Sequence, residues 1–338
     1  MTLEEIAKKM CAKGEGILAA DESTGTMDKR LKSVNVESTE KNRLAFRQAL
    51  FSSDAMKNYI GGVILFDETI RQKTTLGISI PELIIRNNSL PGIKVDKGAK
   101  SLAGSKSETI TEGLDGLRDR LKEYYSLGAR FTKWRAVYNI GNNYPSSQSI
   151  KSNAHALARY AALVQEANMV PIVEPEVLMD GNHDIDKCFK VTTDVLNERF
   201  NELEIHKVDL KGTVLKPNMI VPGSECVRKV SSSEIAKKTI ECLKKNVPSD
   251  VPGIAFLSGG QSELDSSKNL NEINKINDTN FLITFSYGRG LQASALKAFG
   301  KNLNDTKKIQ EVFAHRAKMN GLSSKGEWSE NLEKKASA

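Results

Sequence analysis

Pairs of charged residues in this sequence stand two positions apart, close to the ends of short apolar runs. They are Lys94 with Asp96, Lys133 with Arg135, and Glu174 with Glu176. Residues two apart in a strand share a face, so each pair is expected to point the same way. If that face is common to all three, lysines and carboxylates converge in one cavity able to move protons and hold anions. The alternative is an ion-pair network that only fills space, but buried networks are seldom stabilising for their own sake.

Lys216 is the residue best suited to covalent chemistry. It ends the run 213–215 and is followed by Pro217. Burial near other cations disfavours the ammonium form of a lysine, and a neutral amine can attack a carbonyl to form a Schiff base. A purely structural pairing with Glu174 or Glu176 is the alternative. Lysines at two other strand ends, Lys94 and Lys133, favour the functional interpretation.

Two glycine-containing segments near the C-terminus predict one anion site, and a third segment suggests another. The first two contain Ser258 with Gly259 and Gly288 with Arg289. Glycine exposes backbone N–H groups, and a helix N-terminus attracts anions. The third segment follows Asp21 and holds hydroxyl and basic residues, namely Ser23, Thr24, Thr26, Lys29 and Arg30. A capped, solvated helix start is the alternative there.

Eight short apolar runs must position these residues. They cover 16–20, 62–66, 92–96, 129–135, 170–174, 212–216, 252–258 and 281–286. Helical three- and four-residue spacing appears between several of them, including 185–203, and a serine cluster can cap the helix after residue 231. Buried strands alternating with helices predict a parallel sheet of the α/β class. Eight units favour a single-domain (β/α)8 barrel, the TIM barrel, over an open doubly wound sheet, because no GxGxxG follows the first strand.

The barrel prediction also explains where the chemistry-bearing residues fall. Barrel enzymes place their sites at the C-terminal ends of the strands and often bind phosphate after strands seven and eight. The predicted strand ends hold the charged residues named above, and the Ser258 and Arg289 segments follow the last two strands.

Composition excludes several classes of protein. The chain has 338 residues, 39% of them hydrophobic and 27% charged, so it is neither disordered nor too small to bury a core. Lys and Arg exceed Asp and Glu by 49 to 42, a net charge of +7, which suits a nucleic acid, an acidic membrane or a phosphorylated substrate. The four cysteines form no CxxC pair, and free thiols in a reducing compartment are expected. The N-terminus is not a secretory signal and no run is long enough to span a bilayer, so we expect a cytoplasmic protein.

Two other kinds of site are disfavoured. The four histidines show neither HxH nor HxxxH spacing, so a histidine-based metal site is not expected. The lysine doublets, such as Lys244-Lys245, lack interleaved aromatic residues. Solvated surfaces explain these doublets better than binding to RNA.

Taken together, the motifs resemble class I fructose-1,6-bisphosphate aldolase, the metal-independent Schiff-base type, along nearly the whole chain. Eight segments carry the resemblance, namely 16–25, 61–66, 93–98, 133–135, 173–176, 215–219, 257–261 and 286–289. It implies cleavage of fructose 1,6-bisphosphate into dihydroxyacetone phosphate and glyceraldehyde 3-phosphate, in glycolysis and gluconeogenesis. It implies no cofactor, no bound metal, no obligate nucleic acid and no membrane partner.

The resemblance also implies a role for each matching residue. Lys216 would form the Schiff base, Glu174 would act as acid and base, and Asp21 would take the C4 hydroxyl proton. Lys133 and Glu176 would hold the charge network. One phosphate would bind Ser258, Gly259, Gly288 and Arg289. The other would lie near Ser23, Lys94 and Arg135, with Thr26, Lys29 and Arg30.

The C-terminus departs from the family. Animal members end in a tyrosine that assists proton exchange and favours the bisphosphate, whereas this chain ends in Ala338. We therefore expect a barrel domain over 1–319 and a polar, mobile tail over 320–338, with the preference for bisphosphate less secure. A Schiff-base aldolase for another sugar phosphate and a basic scaffold for an acidic partner remain alternatives. A homo-oligomer is expected, a tetramer by family or a dimer.

Overall fold

Eight parallel strands close into a barrel in the computed structural model, which describes residues 1–334. The order around the barrel is β1-β10-β9-β8-β7-β6-β3-β2. These strands are β1 (Gly16–Ala20), β2 (Ile60–Leu65), β3 (Leu90–Lys94), β6 (Phe131–Tyr138), β7 (Val170–Val177), β8 (Val214–Leu215), β9 (Gly253–Phe256) and β10 (Leu282–Tyr287). Two short antiparallel strands, β4 (Ala99–Ser101) and β5 (Thr109–Thr111), form a separate hairpin. The predicted α/β barrel is confirmed.

Helices connect and surround the barrel strands. They are α1 (Leu3–Met10), α2 (Thr24–Lys32), α3 (Glu40–Phe51), α4 (Ala55–Tyr59), α5 (Asp67–Arg71), α6 (Ile80–Arg86), α7 (Leu117–Ser126), α8 (Ser147–Glu166), α9 (Ile185–Ile205), α10 (Ser232–Asn246), α11 (Glu263–Lys275), α12 (Arg289–Lys301), α13 (Thr306–Ser323) and α14 (Glu330–Lys334), with a short 3-10 helix at Leu210–Gly212. Ser231 caps α10 by accepting a hydrogen bond from the Glu234 N–H, as its serine cluster predicts. Among residues 1–334, no helix is long and apolar enough to cross a membrane.

The N-terminal end of the barrel is closed by apolar packing. Helix α1 lies across this end and buries Ile6 and Met10 against residues of the barrel interior, including Ile172. Gly92 is required there, because a Cβ at this position would lie 2.3 Å from the ring of Phe131. Because apolar side chains fill the N-terminal half of the barrel, room for polar side chains remains only toward the C-terminal ends of its strands.

A larger apolar core fills the space between the strands and the surrounding helices. Trp134 and Tyr160 meet in this layer with ring centroids 5.4 Å apart, and both side chains are fully buried. Trp134 lies between Lys133 and Arg135 on β6, so its burial on the helix side turns those two neighbours inward. The core thus orients the charged pairs recognised in the sequence.

Three strands differ from the sequence expectation. Strand β8 has only two residues, since Pro217 has no N–H for the ladder, although the Lys216 N–H still donates to the carbonyl of Val173 at 2.9 Å. Strands β6 and β7 extend beyond the predicted ends to Tyr138 and Val177 because they pair over their full length.

The predicted tail begins inside an ordered helix. Helix α13 continues to Ser323, and the Asn320 amide donates to the carbonyl of Gly290 at 3.2 Å. Beyond the helix, Trp328 is buried. The domain boundary after residue 319 therefore falls within α13. The last part of the predicted tail, 335–338, lies outside the described residues.

Candidate active site

A cavity of about 250 Å³ at the C-terminal ends of the barrel strands gathers the predicted site residues. Its lining includes every one of them except Lys29, namely Asp21, Ser23, Thr26, Arg30, Lys94, Lys133, Arg135, Glu174, Glu176, Lys216, Ser258, Gly259, Gly288 and Arg289. These residues come from seven of the eight barrel strands or the segments directly after them. The convergence expected from strand-face alternation is observed.

Lys29 is the exception. It lies exposed on α2 and does not line the cavity. Thr26 and Arg30, four residues apart on the same helix, share the side that faces the cavity. Lys29 is offset from Arg30 by one residue around the helix, so its side chain projects to solvent.

A chain of ion pairs joins the central charged residues. The Nζ of Lys216 lies 3.1 Å from Oε1 of Glu174. The other carboxylate oxygen of Glu174 lies 3.2 Å from Nζ of Lys133, which is in turn 2.8 Å from Oδ2 of Asp21. Lys133, Glu174 and Lys216 are each at most 4% exposed. Alternating charges therefore run across the cavity from Lys216 to Asp21.

This arrangement fixes the charge of the two carboxylates. Burial alone would raise the pKa of Glu174, but the cations of Lys133 and Lys216 outweigh it and hold that pKa below its ordinary value. The same balance lowers the pKa of Asp21. Burial alone would lower the pKa of Lys133, yet Asp21 and Glu174 raise it. Lys133 is therefore a permanent cation, and both carboxylates are ionised at neutral pH.

A second group of charges borders the ion-pair chain. Lys94 Nζ lies 3.3 Å from Oδ1 of Asp96, and the Arg135 Nε–H donates to Glu176. Asp96 also accepts hydrogen bonds from the backbone N–H groups of Gly98 and Arg135. Asp96 thus anchors the end of β3 to β6 and keeps Lys94 at the cavity wall.

The loops after the last two barrel strands form a site suited to a phosphate. Arg289 is the first residue of α12, and its guanidinium donates to the carbonyl of Gly259 at 2.6 Å. Gly259 has φ +56°, a conformation that favours glycine. Ser258 lies beside these residues in the cavity lining, and Ser286 adds a buried hydroxyl with no protein partner. A helix N-terminus with an arginine and free hydroxyls attracts an anion.

The segment after β1 supplies a second cationic wall. Ser23 caps α2, and its hydroxyl oxygen lies 3.1 Å from that of Thr26. Arg30, one turn further along α2, lines the same cavity. Cations at both walls suit a ligand with two anionic groups.

Glu22 is a functional candidate that the sequence reasoning missed. It is buried, pairs with Arg30, and lies 3.6 Å from the Arg47 guanidinium. Gln292 donates to Glu22 at 3.1 Å and to the carbonyl of Ala19 at 2.7 Å. Arg47 and Gln292, the partners of Glu22, lie on α3 and α12, so local spacing carries no signal of this network.

The spacing of Asp96 from Lys94 marks it in the sequence. Its role in joining β3 to β6 appears only in the structure.

The arrangement supports covalent chemistry on a doubly anionic carbonyl compound. An amine lies beside a carboxylate that can exchange protons with it, and a second carboxylate stands beyond a fixed cation. Among residues 1–334, the one cluster with metal-ligand spacing lies outside this cavity, on α8 and α9.

Comparison with known proteins agrees with this chemistry. The sequence matches the family described as "Fructose-bisphosphate aldolase class-I" over residues 2–338. It is 51% identical over 327 residues to a "Probable fructose-bisphosphate aldolase class 1" of Xylella fastidiosa, covering 96% of this chain and 98% of that one. It is 52% identical over 314 residues to "Fructose-bisphosphate aldolase 4, cytosolic" of Arabidopsis thaliana, covering 93% and 80%.

A solved structure has the same fold. Fructose-bisphosphate aldolase from Plasmodium falciparum, crystallised with TRAP and a small-molecule inhibitor, superposes with a TM-score of 0.95. The two sequences are 44% identical, and the match covers 97% of this chain and 95% of the other.

Proposed function

The chain belongs to the class I fructose-bisphosphate aldolase family, and on that premise we propose how its residues perform the reaction. The enzyme is a carbon–carbon lyase acting on sugar phosphates. It cleaves fructose 1,6-bisphosphate reversibly to dihydroxyacetone phosphate and glyceraldehyde 3-phosphate. We assign the chemistry to Lys216, Glu174 and Asp21, and the whole chain acts as one catalytic domain.

Proton exchange between Lys216 and Glu174 opens the reaction. The ionised Glu174 takes a proton from the Lys216 ammonium group, and the neutral amine attacks the ketone C2. The resulting carbinolamine loses its hydroxyl as water, with Glu174 returning the proton to the leaving oxygen. The product is a protonated imine, which is an electron sink.

Asp21 then accepts the C4 hydroxyl proton. The O–H electrons form the aldehyde carbonyl, the C3–C4 bond breaks, and its electron pair moves into the imine to give an enamine. Glyceraldehyde 3-phosphate leaves. Protonation at C3 balances the proton that Asp21 took from the C4 hydroxyl and leaves that carboxylate ionised again. Addition of water at C2 then releases dihydroxyacetone phosphate and restores the amine of Lys216. Lys133 keeps Asp21 and Glu174 ionised and separated during these transfers.

The single observation that carries the proposal is the pairing of Lys216 with Glu174. Their charged atoms lie 3.1 Å apart and both side chains are only 4% exposed. An isolated buried lysine and carboxylate would be costly, and the cavity that holds this pair is also lined by the arginines and hydroxyl groups suited to the substrate's phosphates.

Borohydride trapping tests the assignment of Lys216. Reduction of the enzyme in the presence of fructose 1,6-bisphosphate should convert the imine to a stable secondary amine. Peptide mapping should locate the added mass on the peptide containing Lys216. The Lys216→Ala variant should give no adduct and should lose activity by several orders of magnitude, because nucleophile and electron sink are both lost.

Lys94→Met is the matched control, because Lys94 lines the same cavity but pairs with Asp96 rather than Glu174. It should weaken substrate binding yet still form the adduct on Lys216. An adduct that maps to Lys94 or Lys133, or activity surviving in Lys216→Ala, would reject the mechanism.

Substrate preference, assembly and location follow as further parts of the proposal. Basic and hydroxyl side chains from several strand ends favour the bisphosphate over a monophosphate, which relative kcat/KM for fructose 1,6-bisphosphate and fructose 1-phosphate would test. We propose a homo-oligomer, to be measured by light scattering. The relatives named cytosolic support a cytoplasmic enzyme.

A further inference from the structure

A histidine–carboxylate cluster lies on the outer helices, away from the active site. It consists of His155 on α8, Glu202 near the end of α9, and His206, which caps the C-terminus of α9. None of these residues lines the catalytic cavity. We propose that His155, Glu202 and His206 form a binding site for a divalent transition-metal ion, with Zn²⁺ the best fit, and that the ion clamps α8 to α9.

The three side chains converge on one point. One ligand atom from each lies within 4.8 Å of the others. His155 Nδ1 is 3.1 Å, and His206 Nδ1 is 3.5 Å, from the same oxygen of Glu202. The two imidazole rings meet edge to face with centroids 5.0 Å apart. Ligand atoms around tetrahedral Zn²⁺, at about 2.0–2.1 Å from the metal, lie roughly 3.4 Å apart, so the three side chains must rotate closer together to close the site.

A backbone hydrogen bond prepares His206 for this role. Its Nδ1–H donates to the carbonyl oxygen of Glu202 at 2.8 Å. The bond places the proton on Nδ1, so His206 would bind the ion through Nε2, and the 3.5 Å from Nδ1 to Glu202 shows only how close the ring lies to that carboxylate. A carbonyl acceptor on the second ring nitrogen is the usual partner of a metal-bound histidine, because it fixes tautomer and orientation.

Exposure leaves the cluster able to adjust and to admit water. The His155 side chain is 51% exposed, whereas Glu202 and His206 are 17% and 20% exposed. The more exposed imidazole of His155 on α8 therefore faces two less exposed ligands at the end of α9. His206 also borders a surface cavity with Asp119, so water can complete the coordination shell.

Nearby charges limit the affinity. Arg159 and Arg118 line the same cavity as His206 and repel a cation. Arg118 is paired with Glu166 at 2.6 Å, which offsets part of that charge. Two imidazoles and one carboxylate suit Zn²⁺, Cu²⁺ or Ni²⁺ and disfavour Mg²⁺ and Ca²⁺, which prefer oxygen ligands.

Calorimetric titration of the full chain with ZnCl2, and with MgCl2 for comparison, tests the proposal. One Zn²⁺ and no Mg²⁺ should bind per chain. His155→Ala and His206→Ala should each weaken binding by at least about 10-fold, since even partners outside the ligand shell contribute about 10- to 100-fold to affinity. Because binding to the folded state stabilises it, Zn²⁺ should raise the Tm of the wild type and not of these variants.

Two control variants show whether Zn²⁺ binds to this cluster or to another histidine or cysteine of the chain. His315→Ala removes a histidine that pairs with Glu333 instead, and Cys226→Ser removes the one cysteine that is not fully buried. Both should bind Zn²⁺ as the wild type does. Binding unchanged in His155→Ala and His206→Ala, binding lost in a control, or no binding by the wild type would overturn the proposal. Since the readouts are affinity and Tm, the result does not depend on the aldolase mechanism.

Discussion

At the scale of single residues, the active site depends on one carboxylate shared by two lysines. Glu174 lies within 3.2 Å of both Lys133 and Lys216, and all three are buried. Only one of its neighbours can give up a proton during the reaction. The pKa of Lys133 is raised by two carboxylates, Asp21 as well as Glu174. We therefore propose Lys216, rather than Lys133, as the residue with which Glu174 exchanges its proton.

Replacing Glu174 by Gln tests this division of roles. The amide keeps the shape but can neither take the Lys216 proton nor return it to the leaving hydroxyl. We expect kcat to fall by about 10²- to 10⁴-fold, the usual contribution of a general acid–base, with KM changed much less. Steady-state kinetics measures both.

The matched control for that substitution is Glu68→Gln. Glu68 also pairs with a cation, Arg43, at 2.5 Å, but it does not line the cavity. Its kcat should stay close to that of the wild type. A KM effect with unchanged kcat in Glu174→Gln would mean that Glu174 only binds substrate.

Glu22 is predicted to position Arg30 rather than to touch substrate. Glu22→Gln keeps the hydrogen bond from Gln292 possible but removes the charge that holds the guanidinium. We expect KM for fructose 1,6-bisphosphate to rise roughly 10-fold, with a smaller change in kcat. A 10-fold change corresponds to about 1.4 kcal/mol, which we take as the contribution of this charge-assisted contact. A fall in kcat with KM unchanged would contradict the positioning role.

At the scale of elements, strand periodicity carried most of the prediction. Alternation along a strand placed Lys133 with Arg135 and Glu174 with Glu176 on one face, and their registered pairing on β6 and β7 confirms it. Period-two reasoning works here because Trp134, between Lys133 and Arg135, and Val173, directly before Glu174, are buried in the apolar core outside the barrel. It depends only on backbone geometry and therefore needs no knowledge of distant partners.

Features set by long-range contacts were beyond this reasoning. The hairpin of β4 and β5 has mostly polar, partly exposed residues, so no apolar run marks it. The cluster of His155 and His206 joins positions far apart in sequence, and the expectation against a histidine site considered only HxH and HxxxH spacing. The sequence groups Lys29 with the hydroxyl and basic residues that follow Asp21, whereas the rotation of α2 turns its side chain away from the cavity. Each case depends on how elements pack or turn rather than on the local pattern.

The contact between β3 and β6 gives a prediction for barrel packing. In Gly92→Ala, the new Cβ would lie 2.3 Å from the Phe131 ring. Overpacking of a rigid core costs about 1–3 kcal/mol, and urea unfolding should show that loss. Gly25→Ala on α2 is the control, because its Cβ would meet no atom within 4 Å; it should be neutral or slightly stabilising. Adding Phe131→Leu should recover part of the loss, and strict additivity would contradict the steric explanation.

At the scale of the whole molecule, the basic residues that give the net charge of +7 fall into two groups. Lys133 and Lys216 are buried and matched by carboxylates across the cavity. Many other cations, such as Lys8 and Lys32, form exposed pairs with residues one helical turn away. Exposed pairs of this kind contribute about 0.3–0.5 kcal/mol each. The few buried lysines, rather than the many exposed ones, are therefore the cations that indicate function.

The reactivity of the cysteines tests whether the core of the folded protein is closed to solvent. Cys11, Cys188 and Cys242 are buried, whereas Cys226 is partly exposed. Burial raises the pKa of the Cys11 thiol to about 12 and those of Cys188 and Cys242 to about 11. Because the thiolate is the reactive form, iodoacetamide at about pH 8 should label Cys226 in the native enzyme and the other three only after denaturation, as counted by mass spectrometry.

These raised pKa values also set the behaviour in alkali. The folded state keeps its buried thiols protonated, whereas unfolded thiols ionise near the ordinary value of 9.0. The unfolded state therefore binds fewer protons above that pH, and the free energy of unfolding should fall as the pH rises from about 9 toward 11. Cys188→Ala removes one such group, so the slope of stability against pH in this window should be shallower than in the wild type. Cys226→Ser should leave the slope unchanged, and equal slopes in all three proteins would show that the buried thiols do not govern alkaline stability.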